Sequence, residues 1–354
     1  MSRLTTNSGR WARGRQRLIA GFLVAAWSAR AFAAGTEGAS FLDIPVGARP
    51  AALGSAYTAL AADAYAAVWN PAGLGFVKQT EVAGQHLDYL ESIHDEYLGF
   101  AQPVGHDGAV GASIQYLGSG DIASTDNNGD PIGTFSSRFA SYRVAYGRRF
   151  GDAFALGVTG QWVNARIGDF SANAYAGDVG ALYRPSEAWR FGASIVNAGS
   201  RLTFINSGDA LPLAGHLSAA FKPEARWLLT AEAVERAAGG TAARGGVEWT
   251  PVSMLSLRAG YRSDTIKALS AIAGMSAGMG LRVWGGEFSY AWLPLGDLGA
   301  SHYFSVLVRF GPEAQRRNFV YMRPGVTVEA PADADLEEIL RLIEAPVADR
   351  VVIR

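Results

Sequence analysis

The sequence predicts an all-β fold: a closed antiparallel transmembrane β-barrel of about fourteen strands, with an N-terminal plug segment and a short C-terminal periplasmic helix. Three observations predict it. The chain begins with an export signal. From about residue 81 to 310, short stretches alternate apolar residues with small or polar ones. Beyond the signal, no window approaches the ~20 uninterrupted apolar residues that a membrane-crossing helix needs. A chain that crosses lipid with strands must close its sheet, because an open edge in hydrocarbon leaves backbone groups unpaired.

The export signal is read from residues 1–33. Arg3, Arg10, Arg13, Arg15 and Arg17 precede an apolar run at 18–27, and no acidic residue occurs before Glu37. Ala31-Phe32-Ala33 places small residues at both recognition positions of a cleavage site. The run is too short to span ~30 Å of hydrocarbon as an anchor. Cleavage after Ala33 and passage to the outer membrane are therefore expected.

Composition narrows the function classes. The formal net charge is −1, from 31 basic and 32 acidic residues, so no charge excess points to a nucleic-acid partner. Charged residues are 18%, below the usual ~25% of a soluble domain. The 43 glycines and 11% aromatics suit a tightly built β-protein in lipid. With no cysteine, disulfides, thiolate metal sites and Cys nucleophiles are excluded together.

Fourteen alternating segments are predicted, at 81–89, 96–103, 109–117, 138–149, 154–165, 173–184, 189–197, 213–222, 227–235, 243–250, 254–263, 270–278, 283–292 and 301–310. In the third, Val110, Ala112, Ile114 and Tyr116 interleave with Gly111, Ser113 and Gln115; in the thirteenth, Trp284, Phe288, Tyr290 and Trp292 interleave with Gly285, Glu287 and Ser289. A period of two is the strand signature. The links alternate in length. Tight ones lie at 150–153, 185–188, 223–226 and 251–253; longer ones lie at 118–137, 166–172, 198–212, 236–242, 264–269 and 293–300. Short periplasmic turns and longer outer loops, with an even strand number, place both barrel ends at the periplasm. The apolar face carries aromatics near strand ends, such as Tyr116, Tyr146, Trp162, Tyr183, Trp189, Trp227, Trp249 and Trp292, as interfacial girdles would. The other face carries Arg143, Asp178, Glu232, Arg258 and Glu287. These lumen charges either brace the wall as an ion network or line a substrate path.

Residues 34–80 differ in kind. They are rich in Ala and Gly, with Ala56 to Val68 as a candidate short helix stopped by Asn70-Pro71, since Pro disfavours the α conformation of its predecessor. A barrel of fourteen strands is wider than side chains alone can fill, because about eight strands exhaust that capacity. The segment is therefore expected inside the barrel as a plug, with Trp69 and Tyr57 wedged against the wall and Asn70 and Asp63 bonded to inward residues such as Arg258. The alternative is a disordered periplasmic leader. After the barrel (81–310), the tail 311–354 reads as a linker around Pro324 and Pro331 and then a short amphipathic helix at 335–345, with Leu336, Ile339, Leu340 and Ile343 on one face.

No catalytic, cofactor or metal motif is found. The five histidines, His86, His94, His106, His216 and His302, form no HExxH or paired-ligand spacing, and no P-loop or G-x-S-x-G elbow is present. His216 and Ser218 share a strand face as any i, i+2 pair does. The loop 121–130 is rich in oxygen ligands but lacks the closing acid of an EF-hand, and its residues equally suit a turn.

Gly47-Ala48-Arg49-Pro50-Ala51-Ala52-Leu53-Gly54-Ser55-Ala56-Tyr57, then Ala61-Ala62-Asp63-Ala64 and the plug motif Trp69-Asn70-Pro71-Ala72-Gly73-Leu74, resemble the PorV/PorQ family of outer-membrane proteins, itself related to FadL-type barrels. Asp178-Val179-Gly180-Ala181-Leu182-Tyr183, Asn197-Ala198-Gly199, Leu211-Pro212 and Leu257-Arg258-Ala259-Gly260-Tyr261 extend the resemblance in order over about residues 40 to 310. The resemblance implies a fourteen-stranded barrel with an N-terminal plug and no enzymatic activity. It implies outer-membrane lipid as surroundings, and one of two roles. PorV-like members are accessories of type IX secretion, with a translocon and secreted cargo as partners. FadL-like members pass hydrophobic small molecules through the barrel wall. The tail beyond Phe310 departs from barrels that end on their last aromatic residue.

Overall fold

The computed structural model describes residues 37–265 and 272–311 in full, and 317–323 and 326–331 as strand backbone. The expected export signal (1–33), residues 34–36 and the expected helix at 335–345 lie outside the described residues.

β1 (Thr80–Leu90), β2 (Ile93–Val104) and β3 (Gly108–Gly118) begin the sheet, and β4 (Ile122–Thr125) and β5 (Pro131–Phe135) form a separate hairpin after them. The sheet resumes with β6 (Ser137–Phe150), β7 (Phe154–Ile167), β8 (Phe170–Tyr183) and β9 (Trp189–Gly199). A second hairpin, β10 (Arg201–Thr203) with β11 (Gly208–Ala210), precedes β12 (Ala214–Glu224), β13 (Trp227–Arg236) and β14 (Thr241–Val252). β15 (Leu255–Arg262), β16 (Met275–Val283), β17 (Gly286–Pro294) and β18 (Ala300–Phe310) complete it. Among the described residues, fourteen of these strands form one closed antiparallel barrel, which β1 closes by pairing with β18 from Thr80↔Phe310 to Asp88↔His302. Each strand of the wall thus pairs with a neighbour on both sides, and no sheet edge is left open to hydrocarbon.

The period of two is carried through into burial. Along β7, residues alternate strictly between exposed and buried for ten positions, Phe154 to Val163. Val144, Val158, Ile195 and Leu217 are at least half exposed, a face that only lipid would satisfy. On β6 the outward charges are Arg138 and Arg148, bracketing Tyr142, Val144 and Tyr146. Ten residues at ~3.3 Å each, tilted by ~40°, make an apolar band of roughly 25 Å, the height of such bands in outer-membrane barrels. Aromatics pair along both rims of the band: Tyr142 stacks on Trp162 at 5.0 Å near one, and Trp189 on Phe221 at 4.4 Å and Trp227 on Trp249 at 5.7 Å near the other.

Two features of the wall differ from expectation. The segment expected at 270–278 is β16, Met275–Val283, and Trp284 sits in the following turn, with φ 51° and nearly full exposure. Trp284-Gly285 supplies positive φ at both centres of a two-residue hairpin, and an aromatic at the turn disguised it as strand. The outer link expected at 166–172 shrinks to 168–169, because β7 and β8 run on for fourteen residues each before Gly168 turns the chain.

Residues 37–79 contain a 3-10 turn (Ser40–Asp43), helix α1 (Ala48–Ala52), helix α2 (Ala66–Trp69) and a 3-10 stretch (Pro71–Phe76). The helix expected over Ala56 to Val68 is confined to its last turn. Propensity is overridden where Ala64 N, which a continuous helix would bond to Leu60 O, donates to the wall carboxylate of Glu81 instead. At the other end of the chain, the stretch read as a linker holds a hairpin, β19 (Arg317–Arg323) with β20 (Val326–Pro331). The alternation of Phe319 and Tyr321, then Val326 and Val328, is a strand signal that the two prolines masked.

Candidate functional site: the lumen and the N-terminal segment

The inward face of the wall is polar, and the segment 37–76 lies against it. Thr58 N donates to Glu232 at 3.0 Å, Ala64 N to Glu81 at 3.0 Å, Ala48 N to Ser305 at 3.1 Å and Gly54 N to Ser276 at 3.2 Å, and Gly47 N donates to Gln85. Four strands, β1, β13, β16 and β18, thus supply five side-chain acceptors for the backbone of one segment. The wall also makes room. A Cβ on Gly157 would stand 2.2 Å from the carbonyl carbon of Pro71, and one on Gly260 2.1 Å from the nitrogen of Gly54. The glycines read as general compactness include these inward positions, where segment backbone touches strand backbone.

Trp69, Asn70, Pro71, Ala72 and Gly73 sit in this contact zone. Asn70 is fully buried; its Nδ2 donates to the carbonyls of Thr58 and Ala181 at 3.0 Å each, and its Oδ1 accepts from Ala72 N at 3.1 Å. It caps the 3-10 stretch and ties the segment to β8. Gly73 leaves no space for a side chain, since a Cβ would fall 1.4 Å from the Ala61 carbonyl oxygen. Trp69 donates its indole N–H to Val46 O at 2.9 Å and meets Tyr57 edge-on at 5.8 Å. The two rings therefore pack on each other within the segment. Asp63 accepts from Tyr57 Oη at 2.6 Å and from Tyr65 N at 3.0 Å. Neither Asn70 nor Asp63 bonds the expected Arg258: Asn70 reaches the wall through the Ala181 carbonyl, and Asp63 is held within the segment by Tyr57 and Tyr65.

The five inward charges are all buried, and ion pairs and hydrogen bonds divide them among clusters. Arg258 is the hub of the first. Its Nε donates to Glu248 at 2.7 Å, Nη1 to Ser289 at 2.9 Å and Nη2 to Glu287 at 2.5 Å. Arg49 of α1 reaches the same Glu248 with two bonds of 2.8 and 2.9 Å. That is the planar two-point match for which guanidinium is suited. Glu232 centres the second, accepting from Thr58 N and holding His216 Nδ1 at 2.8 Å and Arg244 at 3.7 Å. Ser218 donates instead to Ala231 O, so His216 and Ser218 are not paired. Arg143 and Asp178 belong to a third region. Arg143 donates to Gln115 at 3.4 Å, and Asp178 accepts from Asn197 N at 2.6 Å; with His216 and Arg244 they line a small cavity of about 50 Å³.

Nearer the end of the barrel that carries the longer links, Asp264 gathers Arg236 at 3.1 Å, Arg244 at 2.9 Å and Arg262 at 2.7 Å, and Arg236 also pairs with Asp43 of the segment. Burial pushes the Asp264 carboxyl up, but the hydrogen bond and charge of Arg262 and the charge of Arg244 outweigh it and hold the carboxyl well below the usual range. Beside this knot lies a cavity of about 740 Å³ walled by Ile44, Pro45, Tyr89, Leu293, Leu298 and Tyr303 among others. In the exposed loop before β5, Asp126 Oδ1 accepts from Asn128 N at 2.8 Å and Asp130 N at 2.9 Å. That use as a turn former lowers its carboxyl and accounts for the oxygen-rich run at 121–130.

Arg49, Glu81, Gln85, Glu248, Asp264, Ser276 and Ser305 were not singled out from sequence. Glu81 and Gln85 alternate with Ala83 and Leu87 on the inward face of β1, so period two carried a signal for the side but none for the partner.

A closed barrel with an apolar outward face and a polar interior defines a transmembrane β-barrel protein of the outer-membrane type. Solved structures share the fold. The chain aligns with the toluene transporter TbuX of Ralstonia pickettii at TM-score 0.52 and 13% identity, over 75% of this chain and 98% of that one. It aligns with the monoaromatic hydrocarbon channel CymD at TM-score 0.53 and 12% identity, over 76% and 98%. The family model "Type IX secretion system protein PorV" matches residues 28–223, more than half of the chain, and the chain belongs to the PorV family. A "UPF0164 protein" of Treponema pallidum (strain Nichols) is 29% identical over 187 residues, 47% of this chain; the chain spans about two fifths of that relative, 41% of its length.

Proposed function

We propose that this protein is an accessory of type IX-like secretion in the outer membrane, with a lumen closed by its own N-terminal segment. In this reading the segment is the plug, the charges braced by Arg258 and Glu232 are structural, and the working surfaces are the loops and the rim. The family membership supports the secretion role. The observation that carries the closed lumen is the set of five wall side chains that bond the segment's backbone, from Gly47 to Ala64. An open pore would leave those groups to water. The test has two parts. Deleting the gene in the native host and weighing secreted proteins in the medium against those retained in the periplasm probes the role; unchanged secretion would remove it. Deleting residues 41–74 and recording single-channel conductance probes the plug; equal, near-zero conductance in both proteins would remove that.

One observation favours a second role. The cavity of about 740 Å³ at the outer end is largely apolar and large enough for a small hydrophobic molecule. The structural neighbours are a toluene transporter and a monoaromatic hydrocarbon channel. Uptake of such a molecule by this chain predicts saturable quenching of a fluorescent hydrophobic probe, weakened by Leu293→Trp, which narrows the cavity.

A further inference from the structure

Three of the five histidines lie on the outward face of the barrel, at the seam where β1 meets β2 and β18. No spacing along the chain announces this, because His86 and His94 are on different strands. The register β1–β2 sets His86 opposite Glu96 and Asp88 opposite His94, and the register β1–β18 sets Asp88 opposite His302. His94 Nδ1 stands 2.9 Å from Asp88 Oδ1, and His86 Nε2 stands 3.7 Å from the same oxygen. The two imidazoles stack at 5.8 Å, and the ligand atoms of His86, Asp88 and His94 all lie within 4.8 Å of one another. His86 turns its other nitrogen, Nδ1, to Glu96 Oε1 at 2.6 Å.

We propose that His86, Asp88 and His94 form a binding site for a divalent transition metal of the zinc class, on the rim of the β1–β2 hairpin. Two imidazole nitrogens and a carboxylate are a ligand set that zinc accepts, with metal bonds of ~2.0–2.2 Å and one position left open to water. The Glu96–His86 contact is the second half of that chemistry, since a ligating imidazole donates its remaining N–H to a carboxylate, which fixes the ring and raises its basicity. Closing the three donors onto one ion needs only rotation of side chains that are about half exposed. His302 is engaged differently, with Nδ1 2.9 Å from Tyr290 Oη, and is not among the ligands. The location explains why these groups are affordable on an outward face: Glu96 pairs in register with Tyr116, a member of the rim aromatics, so the cluster stands at the water boundary of the apolar band.

The experiment is a calorimetric titration of Zn²⁺ alone into the full chain, purified in detergent on a tag without histidine and stripped with chelator. One equivalent should bind, and His94→Ala and His86→Ala should each abolish it. Glu96→Gln should weaken it by roughly 10–100-fold, the usual effect of removing such a supporting carboxylate, and His302→Ala should leave it unchanged. Far-UV circular dichroism checks that each variant keeps the barrel. No stoichiometric binding, or binding that survives His94→Ala in a folded barrel, overturns the proposal and leaves a hydrogen-bonded surface cluster.

Discussion

The wall and the N-terminal segment are both rich in small residues, yet they are held by opposite means. Each wall strand satisfies its backbone through two neighbours, and its side chains only choose a face. The segment has two helices of five and four residues and no strand between Ser40 and Phe76. Its backbone is satisfied partly by its own short turns and partly by Glu232, Glu81, Gln85, Ser276 and Ser305, which belong to the wall. The wall needs only lipid and its own closure; the segment needs the wall. Substitutions that act on one and spare the other break this comparison at defined points.

The largest effect is expected from Gly157→Val. Valine is a good strand residue, but its Cβ would overlap Pro71 backbone, so the segment should be displaced while the barrel persists. Bilayer recordings should change from near-zero current to a steady pore. Gly160→Val in the same strand meets nothing within 4 Å and should change stability by no more than about 0.5 kcal/mol. Equal behaviour of the two variants would mean that the segment does not depend on the wall glycines.

Arg258→Met comes next. It leaves Glu287 to the half-exposed Arg282 and to Ser289, and Glu248 to Arg49 alone. Breaking a buried pair by removing one partner costs about 3–5 kcal/mol, read as a lower denaturation midpoint in detergent. Restoring neutrality with Glu287→Gln in the same chain should recover part of the loss; no recovery would argue that the guanidinium serves packing rather than charge.

Asn70→Ala should cost about 2–3 kcal/mol, because it removes three bonds and leaves buried carbonyls of Thr58 and Ala181 without this donor. The loss should be local. Hydrogen exchange should rise in 58–76 and not in β6 or β7, whereas uniform acceleration would mean that segment and wall unfold as one unit.

The smallest effect on stability, and the sharpest on orientation, is expected from single cysteines placed in this cysteine-free chain. Asn128→Cys, in the loop between β4 and β5, should react with a membrane-impermeant thiol reagent in intact cells. Ala225→Cys, in the turn between β12 and β13, should react only after lysis. The reverse pattern would invert the topology.

Strand number and facing were legible because they depend on period two, a property of each short stretch by itself. The inward placement of Arg143, Asp178, Glu232, Arg258 and Glu287 follows from it. Where local signals conflicted, the reading slipped. Trp284 resembled a strand aromatic, Pro324 and Pro331 resembled a linker, and an Ala-rich run resembled a helix over 56–68.

Sequence by itself determined that the chain closes a barrel, because alternation, turn residues and the lack of an apolar helix leave lipid-facing strands no other arrangement. Tertiary structure decided the partners. Arg49 and Glu248 are 199 residues apart, and His86 and His94 meet only through strand register. Side-chain pairing across strands depends on which residues the closed sheet brings opposite one another, and that is a property of the whole barrel rather than of any segment.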